Sequence, residues 1–173
     1  FDYKSEKHGK IFSPGEIHKY SSKISNICKK IKESTGIILI YSQYIDGGVV
    51  PMALALEEMG LIRYSSGDKV KSLFKIQPSQ TLNAKTMEPK KGSEEFHPAR
   101  YTMITGDKAY SPQNANDMKD ITNPNNKNGE MVKVVLISKA GSEGLDFKFI
   151  RQVHVLEPWY NMNRIEQVIG RGV

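Results

Sequence analysis

Two stretches carry residue types that could do chemistry. VVLISKAGSEGLDF, residues 134–147, sets Gly141 and Gly144 three positions apart, between Ser138 and Asp146, directly after an apolar run. Glycine permits tight turns and lets a phosphate approach backbone amides, though a glycine loop after a strand can equally be a plain turn. RIEQVIGRGV, residues 164–173, spaces Gln167, Gly170 and Arg171 as Q-x-x-G-R. That order presents an amide and a guanidinium together, and a guanidinium can form two charge-assisted bonds to one phosphate. The alternative is an exposed surface arginine. Neither a G-x-x-x-x-G-K-[ST] phosphate loop nor an Asp-Glu pair after a strand occurs in the chain, so the usual grip on a triphosphate and its magnesium is not encoded here. His8, His18, His97 and His154 share no ligand spacing, and no metal site is expected.

The elements that must position these stretches follow from periodicity. Ser13, Pro14 and Glu16 resemble a cap, a first-turn proline and a capping-box acid. The apolar residues after them, from Ile17 to Ile31, predict a helix over about 14–33. Lys19, Lys23 and Lys30 lie along one flank of it, a solvated face or else a phosphate-binding stripe. Ile37–Tyr41 reads as a buried parallel strand, Asp46–Gly48 as a turn, and Val49–Met59 as a helix closed by Gly60. Leu61–Tyr64, Tyr101–Thr105, Val132–Ile137 and Val153–Leu156 are further strands, with a short helix near 115–121 and a last one over Asn161–Gly170. Residues 65–100, with scattered prolines and charges and little periodicity, read as a mobile, solvent-exposed insertion. Strands joined by helical or loop crossovers define an α/β layered domain with a mostly parallel sheet. In such sheets function collects at the carboxyl ends of strands, here the turns after 41, 105, 137 and 156.

Composition sets the bounds. The chain has 173 residues, one domain's worth, with 38% apolar residues and a formal charge of +6. A basic folded domain has nucleic acid as a plausible partner. The single Cys28 excludes an internal disulfide framework and a Cys-rich zinc site. With no apolar run long enough to span a bilayer and no signal-peptide core in FDYKSEKHGK, the expectation is a soluble intracellular protein or a piece of one.

Together the segments resemble a known family. SKAGSEGLD is similar to motif V, and QVIGRGV to all but the last residue of motif VI, in the second RecA-like domain of superfamily 2 helicases and related ATPases. IYSQY at 40–44 looks like motif IV, and YTMITGD at 101–107 like the strand and turn between them. GGVVPMALALEEMG and QVHVLEPWYNMNRIEQVIGR are most similar to helicases of large cytoplasmic DNA viruses, a group that includes the small subunit of the poxvirus early transcription factor. The resemblance covers about residues 36–173 apart from the insertion, with 1–35 as a leading helix and extension.

That resemblance implies a RecA-like three-layer sandwich and a division of labour along its edge. Ser42, Gln43, Thr105, Gly106, Ser138, Lys139 and Gly141 fall on the nucleic-acid side, with Ser138 where the family places a hydroxyl on the backbone. Gly144, Asp146, Gln167 and Arg171 fall on the ATP side, Arg171 as a finger towards the γ-phosphate. Glu143 stands where DEAD-box members carry arginine, so their network does not transfer whole. The implied cofactors are ATP and Mg2+, the metal held mainly by an amino-terminal RecA-like domain that a longer parent protein would supply. Implied partners are DNA or RNA and viral transcription machinery, in the host cytoplasm or virion. The rival expectation is a noncatalytic RecA-like docking or nucleic-acid-binding module of a viral transcription or packaging complex. A dinucleotide-binding oxidoreductase fails, because no G-x-G-x-x-G follows the first strand.

Overall fold

The computed structural model describes residues 1–3, 10–65, 71–78, 80–92, 95–107, 110–111, 114–139, 149–156 and 169–170. Its elements, in chain order, are β1 (Asp2–Tyr3), α1 (Ser22–Glu33), β2 (Ile37–Ser42), α2 (Val50–Met59), β3 (Ile62–Arg63), β4 (Arg100–Ile104), α3 (Asn114–Thr122), β5 (Val134–Ser138), β6 (Ile150–Leu156) and β7 (Ile169–Gly170). Strands β3-β4-β5-β2-β6 form one sheet in that order, and every pairing in it is parallel. This is the expected α/β sandwich with a parallel centre. One face packs on α1 and α2 through Ile38, Ile40, Tyr101, Met103, Val134 and Leu136. The other carries Val135, Ile137 and Ile104 against Ile121 of α3.

The helix predicted from residue 14 starts later. A 3-10 turn spans Ile17–Lys19, the chain turns at Tyr20, and α1 begins after Ser21, whose hydroxyl accepts the Ile24 amide at 3.1 Å. The Ser13-Pro14-Glu16 pattern is a false cap: the Ser13 hydroxyl bonds back to the Lys10 carbonyl. Ile24, Ile27 and Ile31 supply the buried stripe of α1. By contrast α2 is buried from Val50 through Glu57, a helix covered all round. It ends at Gly60, whose φ of 119° only glycine adopts without strain.

Residues 65–100 correct a second expectation. Leu73, Phe74, Leu82, Ala84, Met87 and Ala99 from this segment are buried in the main core. Glu57 of α2 is the tie. Only 2% exposed, it accepts the Leu73 amide at 2.9 Å, the Phe74 amide at 3.4 Å, and the hydroxyls of Ser72 and Tyr101. Burial and the Glu57 carboxylate push the Tyr101 phenol well above its ordinary range, so it stays neutral and donates.

A third correction concerns the last predicted helix. Ile169–Gly170 pairs antiparallel with Tyr3 and Asp2, as a strand and not as a helix end. Residues 161–168 of that helix lie outside the described residues. No helix among the described residues is long and apolar enough to cross a membrane.

Candidate nucleic-acid and nucleotide edge

Four adjacent strands end together. Ser42 of β2 lies opposite Ser138 of β5 on one side and Leu156 of β6 on the other, and Ile104 of β4 lies opposite Ile137 of β5. Thr105 therefore enters its turn beside Ser138. The polar residues at these ends come together because each follows an apolar run that can go no further once the sheet's layer is filled.

Their hydroxyls are buried and used. Ser138, 2% exposed, donates to the Thr105 carbonyl at 2.9 Å, linking β5 to the turn after β4. Thr105 accepts the Asp107 amide at 3.1 Å through its own hydroxyl, and its amide donates to Ser111 Oγ at 2.9 Å. Ser42 Oγ accepts the Tyr44 amide at 3.3 Å and sits beneath Gly48, where an added Cβ would come within 1.9 Å of that oxygen. Gly48 belongs to a π-helical turn, Ile45–Val49, closed by the Val49 amide on the Tyr44 carbonyl at 3.0 Å. Only a residue without Cβ lets this turn pass over Ser42.

The next residue along each turn faces solvent. Gln43, Gly106 and Lys139 are exposed, and Gly106 has a φ of 76°. The edge thus has buried hydroxyls that fix three turns and exposed positions that could meet a ligand. The other predicted site residues, Gly141, Gly144, Asp146, Gln167 and Arg171, lie outside the described residues. The neighbouring Gly170 belongs to the β1–β7 ribbon, which Tyr3 anchors by donating its hydroxyl to Glu58 at 3.0 Å in the last turn of α2.

Sequence reasoning missed several positioning residues. Ser111 has no local signal, because its bond to Thr105 closes a turn of irregular shape. Asn126 is fully buried, accepting the Met131 and Val132 amides at 2.9 and 2.8 Å and donating to the Ile121 and Val132 carbonyls. It fixes the approach to β5 from within a stretch whose composition suggests a plain polar connection. Lys133, 1% exposed, donates to the Ser34 and Ala84 carbonyls, and burial lowers its pKa. At β6, burial, with Lys30 and Lys23 behind it, lowers the His154 pKa, and the ring bonds Gln152 at 3.0 Å.

The fold and this edge define a RecA-like domain of the kind that forms half of a two-domain helicase. The family model for the helicase conserved C-terminal domain matches residues 22–173, and the chain belongs to that family. It is 33% identical over 169 residues to the "Termination factor NPH-I homolog" of African swine fever virus (isolate Tick/Malawi/Lil 20-1/1983), covering 87% of this chain and 22% of that protein. The counterpart in the isolate Tick/South Africa/Pretoriuskop Pr4/1996 is 36% identical over the same coverage. The "Putative ATP-dependent RNA helicase R563" of Acanthamoeba polyphaga mimivirus is 29% identical over 160 residues, covering 91% of this chain and 23% of that protein. The chain therefore spans less than a quarter of the length of these viral relatives. No solved structure matches it.

Proposed function

We propose that this chain is the second RecA-like domain of an ATP-dependent nucleic-acid helicase or translocase, and that its carboxyl edge carries the strand. The observation that supports the reading is the row Ser42, Ser138 and Thr105 at the carboxyl ends of three neighbouring strands, the first two closing β2 and β5 and the third just past β4, each followed by an exposed residue: Gln43, Lys139 and Gly106. Spaced at strand separation, such turns suit successive phosphates of a single strand. Contacts of this type are blind to base sequence. Because the hydroxyls are engaged inside the fold, the exposed amides, the Gln43 amide group and the Lys139 ammonium make the direct contacts.

ATP occupies a cleft between this domain and an amino-terminal RecA-like partner that brings the phosphate loop and Mg2+. The donor set of Gln167 and Arg171, an amide and a permanently charged guanidinium, fits a triphosphate chemically. Arg171 stabilises charge on the transferred phosphoryl group.

Fluorescence anisotropy with single-stranded RNA and DNA of mixed sequence, across a salt series, tests the edge. Affinity should fall steeply with salt, with a log-log slope of about −0.7 per phosphate contacted, and Lys139→Ala should reduce that slope by about 0.7. A salt-insensitive or strongly sequence-selective isotherm overturns the reading. A parent protein that binds nucleic acid and never hydrolyses ATP would leave the docking module in its place.

A further inference from the structure

A cavity of about 500 Å³ opens between α1 and the carboxyl-terminal half of α2. Phe12, Met59 and Leu82 supply apolar wall from three separate parts of the chain. That volume falls within the range of small-molecule sites, and the wall mixes an apolar part with five polar residues, Ser25, Lys29, Lys32, Glu58 and Gln80.

The polar groups are specific. Ser25, 5% exposed, lines the cavity from α1 and its hydroxyl has no hydrogen-bond partner among the described residues. A hydroxyl buried without a partner costs stability unless something occupies the space beside it. Lys29 and Lys32, one turn apart on α1, stand exposed at the mouth and form no ion pair with a described carboxylate. The carboxylate on the wall, Glu58, already accepts the Tyr3 hydroxyl at 3.0 Å.

We infer that this cavity is a binding site for a small amphiphilic anion. Its aliphatic or aromatic body lies against Phe12, Met59 and Leu82, its anionic head at Lys29 and Lys32, and a polar atom within reach of Ser25. The site shares no residue with the strand-end turns, so it stands or falls independently of the helicase reading.

The test uses 8-anilinonaphthalene-1-sulfonate fluorescence on the 173-residue chain, with dodecanoate and decanol as competitors. Saturable binding of one probe per chain is expected, displaced by dodecanoate and at least tenfold less well by decanol. Lys29→Glu with Lys32→Glu, both at exposed positions, should weaken probe affinity about tenfold. Cys28→Trp, which fills the cavity from α1, should abolish saturable binding in a protein that keeps its melting transition. Absence of saturable binding, equal displacement by decanol, or unchanged affinity in the charge-reversed protein each overturns the inference.

Discussion

Ser138 donates its hydroxyl hydrogen to the carbonyl of Thr105 across neighbouring strands, 2.9 Å apart and out of contact with solvent. This one bond couples two turns that family resemblance assigns separately to the nucleic-acid strand. Ser138→Ala should therefore lower stability by about 1 kcal/mol and weaken single-strand binding at the same time. Urea unfolding beside anisotropy checks it. Loss of binding with no loss of stability would mean that the hydroxyl acts directly on phosphate.

Gly48→Ala should destabilise by roughly 1–3 kcal/mol, because the new methyl meets Ser42 Oγ at 1.9 Å and Ser42 Cβ at 2.8 Å. Ser42→Gly removes both atoms and should recover part of the loss. A double-mutant cycle in urea reads the coupling, and strict additivity would show that the crowding is relieved elsewhere.

Glu57→Gln should cost about 2–4 kcal/mol. The carboxylate accepts from Tyr101, Ser72 and two backbone amides, and a carboxamide offers one acceptor oxygen and turns an NH2 group against donors. Tyr101→Phe should recover some of that loss in the double variant. Chemical denaturation measures both.

Alkali should unfold the domain earlier than its charge alone suggests. Burial pushes Cys28 from 9.0 up to about 12, and burial with the Asp120 hydrogen bond pushes Tyr64 from 10.0 up to about 12. Both groups hold their protons longer when folded, so their stabilisation is full below about pH 9 and is lost as pH rises towards 12. Denaturant midpoints at pH 8, 9.5 and 11 should fall in sequence, and Cys28→Ala should flatten the slope. A rising midpoint contradicts the sign.

In the parent protein, Arg171→Lys should depress ATP turnover and Arg171→Ala should depress it further, by roughly a hundredfold or more if it is an arginine finger. Nucleic-acid affinity without nucleotide should change little. Steady-state phosphate release beside a melting curve separates catalysis from folding. Intact turnover in Arg171→Ala would remove this residue from the reaction.

The strands were legible because a buried parallel strand is an uninterrupted apolar run, and Ile37–Tyr41 and Val134–Ile137 are such runs between polar stops. The edge turns were legible for the same reason: the run ends where the layer ends. Ile150–Gln152 of β6 was not, since Arg151 and Gln152 interrupt the apolar pattern on a strand whose outer face is open, with Val153 61% exposed. Residues 73–99 escaped because their apolar side chains enter the core from irregular backbone, which has no period to detect. Glu57 escaped because one acid in an apolar helix betrays its partners only when Tyr101 and the 72–74 backbone come round to meet it.

Strand order bears on how the chain is made. β2 is an interior strand, paired on both sides, yet it leaves the ribosome before every other strand of the sheet, and both its neighbours, β5 and β6, come from the last third of the sequence. About 90 residues must follow Ser42 before its first partner exists, which at ~5–20 residues per second is roughly 5–20 s. Through that interval Ile37–Tyr41 exposes two unpaired hydrogen-bonding edges on an apolar run, a template for aggregation. A nascent chain halted between α3 and β5 should accordingly be a strong client for holding chaperones, and one released after β6 should not.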